Sequence, residues 1–184
     1  EIIEFVDSYL PSLKTTSDQM EEFLHTWKLE FNKLNFNWNF FVHKDFELSN
    51  LMYLPHKVNH LKCGILDFQN AFIGFSGWDL FSLLENPRID FDEKYNQELI
   101  EYFYHNSNQI ISYKEFLMQY FFLNTARQTR IIGRWVNLDE KNNNNYYKSN
   151  FHAVTIKRLK NSLFNLQNTQ LNNLYKIILK NEKF

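Results

Sequence analysis

This 184-residue chain has little of several things: one cysteine, three prolines and four glycines. A single thiol, Cys63, excludes an internal disulfide and any zinc site built from several thiolates, and fits a reducing, cytoplasmic setting. No glycine precedes Gly64, so no glycine-rich loop lies in the first third. No apolar run approaches the roughly 20 residues needed to cross a bilayer, and the N-terminal stretch lacks a basic region followed by an apolar signal core. Neither membrane spanning nor secretion is expected. Charge of one sign is also missing, because 20 Lys and Arg face 21 Asp and Glu for a formal net charge of -1. No general attraction to nucleic acid or to an anionic membrane follows, and a charged partner must be recognised locally.

What is present suffices for one substantial core. Hydrophobic residues make up 44% of the chain, and its length makes one domain the starting expectation. Ile2, Ile3, Phe5, Val6 and Tyr9 read as the end of a helix that Pro11 stops. Met20, Phe23, Leu24, Trp27, Phe31 and Leu34 then recur at helical spacing, behind a possible capping box of Thr16 and Gln19. Further helices are expected near 78–85, 93–105, 112–132, 150–165 and 168–181, the third opened by Ser112 with Glu115. Residues 141–145, a lysine and four asparagines, have nothing to bury and read as a surface loop.

Between positions 40 and 68 the pattern changes to short apolar runs, namely Phe40-Phe41-Val42, Leu51-Met52-Tyr53-Leu54 and Gly64-Ile65-Leu66. These read as strands, the second and third joined as a hairpin by the stretch from Pro55 to His60. The expected fold class is mainly α with a small β hairpin element.

Polar residues capable of chemistry sit at the ends of these strands. His43-Lys44-Asp45, four residues, then Asn50, with Asp67-Phe68-Gln69 further on, resemble the protein-kinase pattern of His-Arg-Asp, four residues, Asn, and a later Asp-Phe-Gly. The spacing has a mechanical reason. A phosphoryl acceptor needs a carboxylate near its hydroxyl, and nucleotide phosphates need magnesium held by oxygen ligands a few ångströms away. On this reading Asp45 receives the acceptor proton, Asn50 and Asp67 are metal ligands, and His43 supports the loop. Three of the four glycines, Gly64, Gly74 and Gly77, fall around the same segment.

From His43 to Arg88 the chain resembles the aminoglycoside phosphotransferase superfamily, whose C-terminal lobe shares the protein-kinase catalytic arrangement. Within it, the chain looks most like the bacterial cell-wall kinases that phosphorylate the anomeric hydroxyl of N-acetylmuramate and N-acetylglucosamine. Their typical runs, approximately HRDYHSRNLM, LDFQDA, Gly and YDLVSLL, are similar to His43–Met52, Leu66–Ala71, Gly74 and Trp78–Leu84. Tyr9-Leu10-Pro11 looks like the family's segment before the catalytic loop, and Arg127–Gly133 like a late arginine-containing helix ending in Gly. Lys44 stands where Arg is usual and lacks its planar fork. Glu47 replaces a frequent His, and Asn70 a frequent Asp.

The resemblance implies an ATP-dependent small-molecule kinase with Asp45 as base, Asn50 and Asp67 as Mg2+ ligands, and Asp79 as an anchor for the catalytic-loop backbone beside His43 and Lys44. Arg127 is a candidate for the substrate side, although an arginine on a long helix more often salt-bridges or meets solvent. The expected acceptor is a cell-wall amino sugar. The alternatives are an aminoglycoside- or choline-type acceptor, and a non-catalytic, pseudokinase-like binding module. The partners expected are a nucleotide and a hydroxylated small molecule, with no nucleic acid and no membrane. The whole chain, 1–184, reads as the C-terminal lobe of the kinase-like fold. The nucleotide-binding lobe is not visible in it, and the isolated chain is expected to be weak or inactive.

Overall fold

The computed structural model of the protein describes residues 1–89 and 91–180. Its compact units are two: Glu1–Asn35 together with Leu117 onward, and Phe36–Phe116.

In the first unit a π-helical turn, Phe5–Tyr9, runs directly into α1 (Leu10–Ser12). Pro11 therefore does not stop the helix where the sequence suggests. It sits in the opening turn of α1, where its missing N–H breaks no α-helical bond, and the wider π turn before it gives the pyrrolidine ring room. The next helix, α2 (Ser17–Asn32), opens on the expected capping box. The Gln19 amide donates to the Thr16 hydroxyl at 3.3 Å, and the Thr16 amide to the Gln19 side chain at 3.0 Å.

α5 (Tyr113–Lys141), α6 (Tyr146–Leu166) and α7 (Thr169–Ile178) supply the rest. Phe5, Phe23, Trp27, Tyr120, Phe122, Leu159, Leu163, Leu171 and Tyr175 are buried in this unit. Phe5 stacks on Phe23 at 5.3 Å, and Tyr175 meets Phe23 edge-on at 5.8 Å. The sequence suggests that Gly133 ends a helix, yet it lies inside α5, which continues for two more turns. A Cβ there would lie 2.5 Å from the Phe5 amide nitrogen and closer still to the Glu4 carbonyl, so glycine permits the N-terminal backbone to lie against the helix. α6 begins four residues before its expected start because the Asp139 carboxylate accepts from the Tyr147 and Lys148 amides at 2.9 and 2.8 Å.

The second unit holds β1 (Phe40–Val42), β2 (Leu51–Tyr53), β3 (Cys63–Ile65), β4 (Phe72–Gly74), α3 (Trp78–Leu84), α4 (Glu93–Asn106) and the first turn of α5. The expected hairpin forms, with Leu51 opposite Ile65 and Tyr53 opposite Cys63. An unexpected strand, β4, pairs antiparallel with β1, setting Val42 opposite Phe72 and Phe40 opposite Gly74. The two ladders are nested, β2–β3 within β1–β4. Val42 is buried while its neighbour Phe41 is 68% exposed, the alternation of a strand with one covered face. Val42, Phe75, Trp78, Phe81, Leu84, Ile100 and Phe116 form the core, with Phe72 packed edge-on to Trp78 at 5.4 Å. Ser112 and Glu115 complete the second capping box, as their spacing suggests. Among the described residues no helix is long and apolar enough to cross a membrane.

Candidate active site

The nested ladders leave two short crossings between the outer and inner strands: residues 43–50 from β1 to β2, and 66–71 from β3 to β4. His43 and Lys44 open the first, Lys44 with a positive φ of 77°. Asp79, in the first turn of α3, holds this bend. Its Oδ2 accepts from the His43 amide at 2.8 Å and its Oδ1 from the Lys44 amide at 2.9 Å. Burial pushes the Asp79 carboxyl above its usual range, and the two amide hydrogen bonds oppose that rise. The buried Ser82 hydroxyl donates to the Lys44 carbonyl at 3.5 Å. The His43 ring, 3% exposed, lies 2.8 Å through Nε2 from the Leu66 carbonyl. A carbonyl only accepts, so Nε2 carries a proton, and the ring ties the first crossing to the second.

Asp45 and Asn50 occupy the same crossing and touch. The Asn50 Nδ2 donates to the Asp45 carbonyl at 2.7 Å, while the Glu47 amide donates to that carbonyl at 3.0 Å. Two donors on one oxygen fold residues 45–50 into a tight loop that ends in a 3-10 turn, Leu48–Asn50. The Asn50 carbonyl accepts from the Leu66 amide at 2.9 Å, one step beyond the β2–β3 ladder, which brings Asp67 to the loop. Asp67 is left-handed, with φ 65° and ψ 46°, and starts the 3-10 turn Phe68–Asn70. That reversal carries Asn70 back to the first crossing, where its Nδ2 donates to Asp45 Oδ2 at 3.1 Å.

Glu47 faces elsewhere. Its carboxylate accepts from the Ser49 hydroxyl at 2.9 Å and from the Asn86 amide group at 2.9 Å, and pairs with Arg88 at 3.5 Å. Asn86, 3% exposed, also accepts from the Arg88 amide at 3.0 Å. The cluster moors the middle of the loop to the turn after α3. The Arg88 pair is partly exposed and contributes little by itself.

Asp45, Asn50, Asp67, His43, Lys44 and Asp79 thus come together in one unit. Arg127 lies on α5 in the other unit, 8% exposed. Sequence reasoning missed the contact of Asn70 with Asp45 and the roles of Ser82, Asn86 and Arg88. The only signal for Asn70 was its departure from the resembling run.

Two oxygen donors remain available to a hard cation. The Asp67 carboxylate and the Asn50 Oδ1 accept no hydrogen bond among the described residues. No group of three His, Cys, Asp or Glu side chains is placed to hold a metal among the described residues. An oxygen pair suits Mg2+, which keeps much of its shell for water and ligand oxygens, and does not suit a closed thiolate or imidazole cage.

The model of the phosphotransferase enzyme family, APH, matches residues 10–109, more than half of the chain. An N-acetylmuramate/N-acetylglucosamine kinase of Caulobacter vibrioides is 40% identical over 48 residues, which is 26% of this chain and 13% of the kinase.

Proposed function

This chain belongs to the phosphotransferase enzyme family, and from that premise we propose that it carries the catalytic loop of an ATP-dependent kinase acting on a hydroxyl of a cell-wall amino sugar. The observation that carries the reading is the tie between the two crossings: Asn50 Nδ2 donates to the Asp45 carbonyl, and the Asn50 carbonyl accepts from the Leu66 amide, directly before Asp67. The 48-residue similarity to the N-acetylmuramate/N-acetylglucosamine kinase supports the amino-sugar acceptor.

In this function Asp45 accepts the proton of the acceptor hydroxyl and orients the oxygen for in-line attack. Asn50 Oδ1 and the Asp67 carboxylate would hold Mg2+. When bound, the ion would neutralise charge on the nucleotide phosphates and help align the transferred group. Asp79, His43 and Lys44 keep the loop in its bent form.

We propose further that the chain acts as the C-terminal lobe of the kinase-like fold, alongside a nucleotide-gripping lobe, and has little activity without it. Large exposed apolar side chains support this, among them Phe41 at 68%, Tyr53 at 72% and Phe68 at 68%, all in the unit that carries the loop.

The test is ATP-dependent phosphorylation by the full-length protein, with N-acetylmuramate, N-acetylglucosamine, an aminoglycoside and choline as acceptors. Magnesium-dependent turnover on the first two, abolished in Asp45→Asn, is expected. Absence of turnover on every hydroxylated acceptor, together with absence of magnesium-dependent nucleotide binding, would refute the kinase reading in favour of a non-catalytic module. Turnover confined to the aminoglycoside or choline would keep the kinase and overturn its acceptor.

A further inference from the structure

Asp45 has two carboxylate oxygens, and one of them is already engaged. Asn70 Nδ2 donates to Oδ2 at 3.1 Å across a sequence separation of 25 residues. β1 and β4 pair with Val42 opposite Phe72, so residues 43–45 and 70–71 leave the same end of that ladder side by side. The left-handed Asp67 then closes the 3-10 turn Phe68–Asn70, locked by the Ala71 amide on the Phe68 carbonyl at 3.0 Å. That turn presents Asp67 at its start and Asn70 at its end. One rigid element therefore carries both the proposed metal carboxylate and a donor to the neighbouring base.

We infer that Asn70 is a positioning residue for phosphoryl transfer: its amide pins Asp45 Oδ2 and leaves Oδ1 to receive the acceptor proton. The inference rests on the kinase reading above. Without the pin, the Asp45 carboxylate turns about its Cβ–Cγ bond and spends part of its time misaligned. A general base must lie within hydrogen-bond reach of its proton in the right direction, so this misalignment lowers the rate of the chemical step. Substrate binding is affected little, because Asn70 needs no contact with either substrate for this role.

The substitutions are tolerable to the fold because Asn70 is exposed. In the full-length protein, Asn70→Ala is expected to lower kcat roughly tenfold, the loss that goes with one hydrogen bond to a charged group. The KM values for ATP and acceptor should stay within about twofold. Asn70→Ser, which keeps a shorter donor, should recover part of the rate. Unchanged kcat in the alanine variant overturns the inference, as does a loss carried wholly by KM.

A second measurement is independent of turnover. The side-chain amide resonances of Asn70 in the wild-type protein should move in Asp45→Ala, which removes their acceptor. If they do not move, the contact is refuted even in an active kinase. If they move and no acceptor is phosphorylated, the contact stands and the kinase reading is what fails.

Discussion

Replacing Asp79 by Asn probes the anchor on which the loop depends. The carboxylate accepts from two backbone amides, His43 at 2.8 Å and Lys44 at 2.9 Å, and thereby holds Lys44 at a positive φ. Asparagine keeps one acceptor oxygen and turns its NH2 toward the other amide. One charge-assisted hydrogen bond is lost, about 1.5–3 kcal/mol, and the opposing amide is left facing a donor. Removing a buried charge returns part of this, since burial already disfavours the ionised form. A net loss of about 2 kcal/mol is expected. With a urea m-value of about 2 kcal/mol/M, that lowers the unfolding midpoint of the unit by about 1 M. Lys44 is also released from a conformation that costs about 1–3 kcal/mol to hold, so kcat should fall together with stability.

The pH dependence gives a sharper check. Because the folded-state pKa of Asp79 lies above its usual value, folding takes up a proton between the two values. The contribution of Asp79 to stability is therefore greatest below its unfolded pKa and declines as pH rises through the folded one. The wild type should gain stability relative to Asp79→Asn as pH is lowered from neutral toward 4. Equal urea midpoints at pH 7 for the two proteins, with parallel pH profiles, would refute the anchoring argument.

Gly133→Ala should destabilise the first unit by about 1–3 kcal/mol, the usual cost of overpacking, because its methyl group meets the Glu4 and Phe5 backbone and no flexible side chain can yield; thermal unfolding measures it. Thr16→Ala should cost about 1 kcal/mol by removing the cap of α2, read by urea titration. The Ser112 hydroxyl and amide hydrogen bonds hold the Glu115 carboxyl below its usual range. The stability it supplies is present above its unfolded pKa and is lost as pH falls through the folded one, so the advantage of the wild type over Ser112→Ala should shrink on acidification in parallel urea titrations.

Features written locally in the chain were legible from sequence. Both capping boxes sit where a hydroxyl and a carboxamide or carboxylate three residues apart put them. The β2–β3 hairpin is bracketed by turn residues within a dozen positions. β4 escaped because Phe72-Ile73-Gly74 is three residues long and its partner lies some 30 positions earlier, beyond the reach of periodicity. Gly133 misled for a related reason: what makes glycine necessary there is the backbone of Glu4, 129 residues away. Likewise Asn70 offered no pattern of its own, since its meaning depends on the register of a ladder that could not be read.

The nesting of the two ladders also sets which lengths of chain are free to change. Residues 43–50 and 66–71 must each bridge a fixed gap, so a one-residue insertion in either would slide the Asp45 side past the Asp67 side and break the alignment between them. Residues 54–62, at the hairpin tip beyond β2 and β3, bridge nothing but themselves. An insertion there lengthens a loop whose ends stay put, which makes that tip the natural place for a fluorescent label or an affinity tag on a working protein.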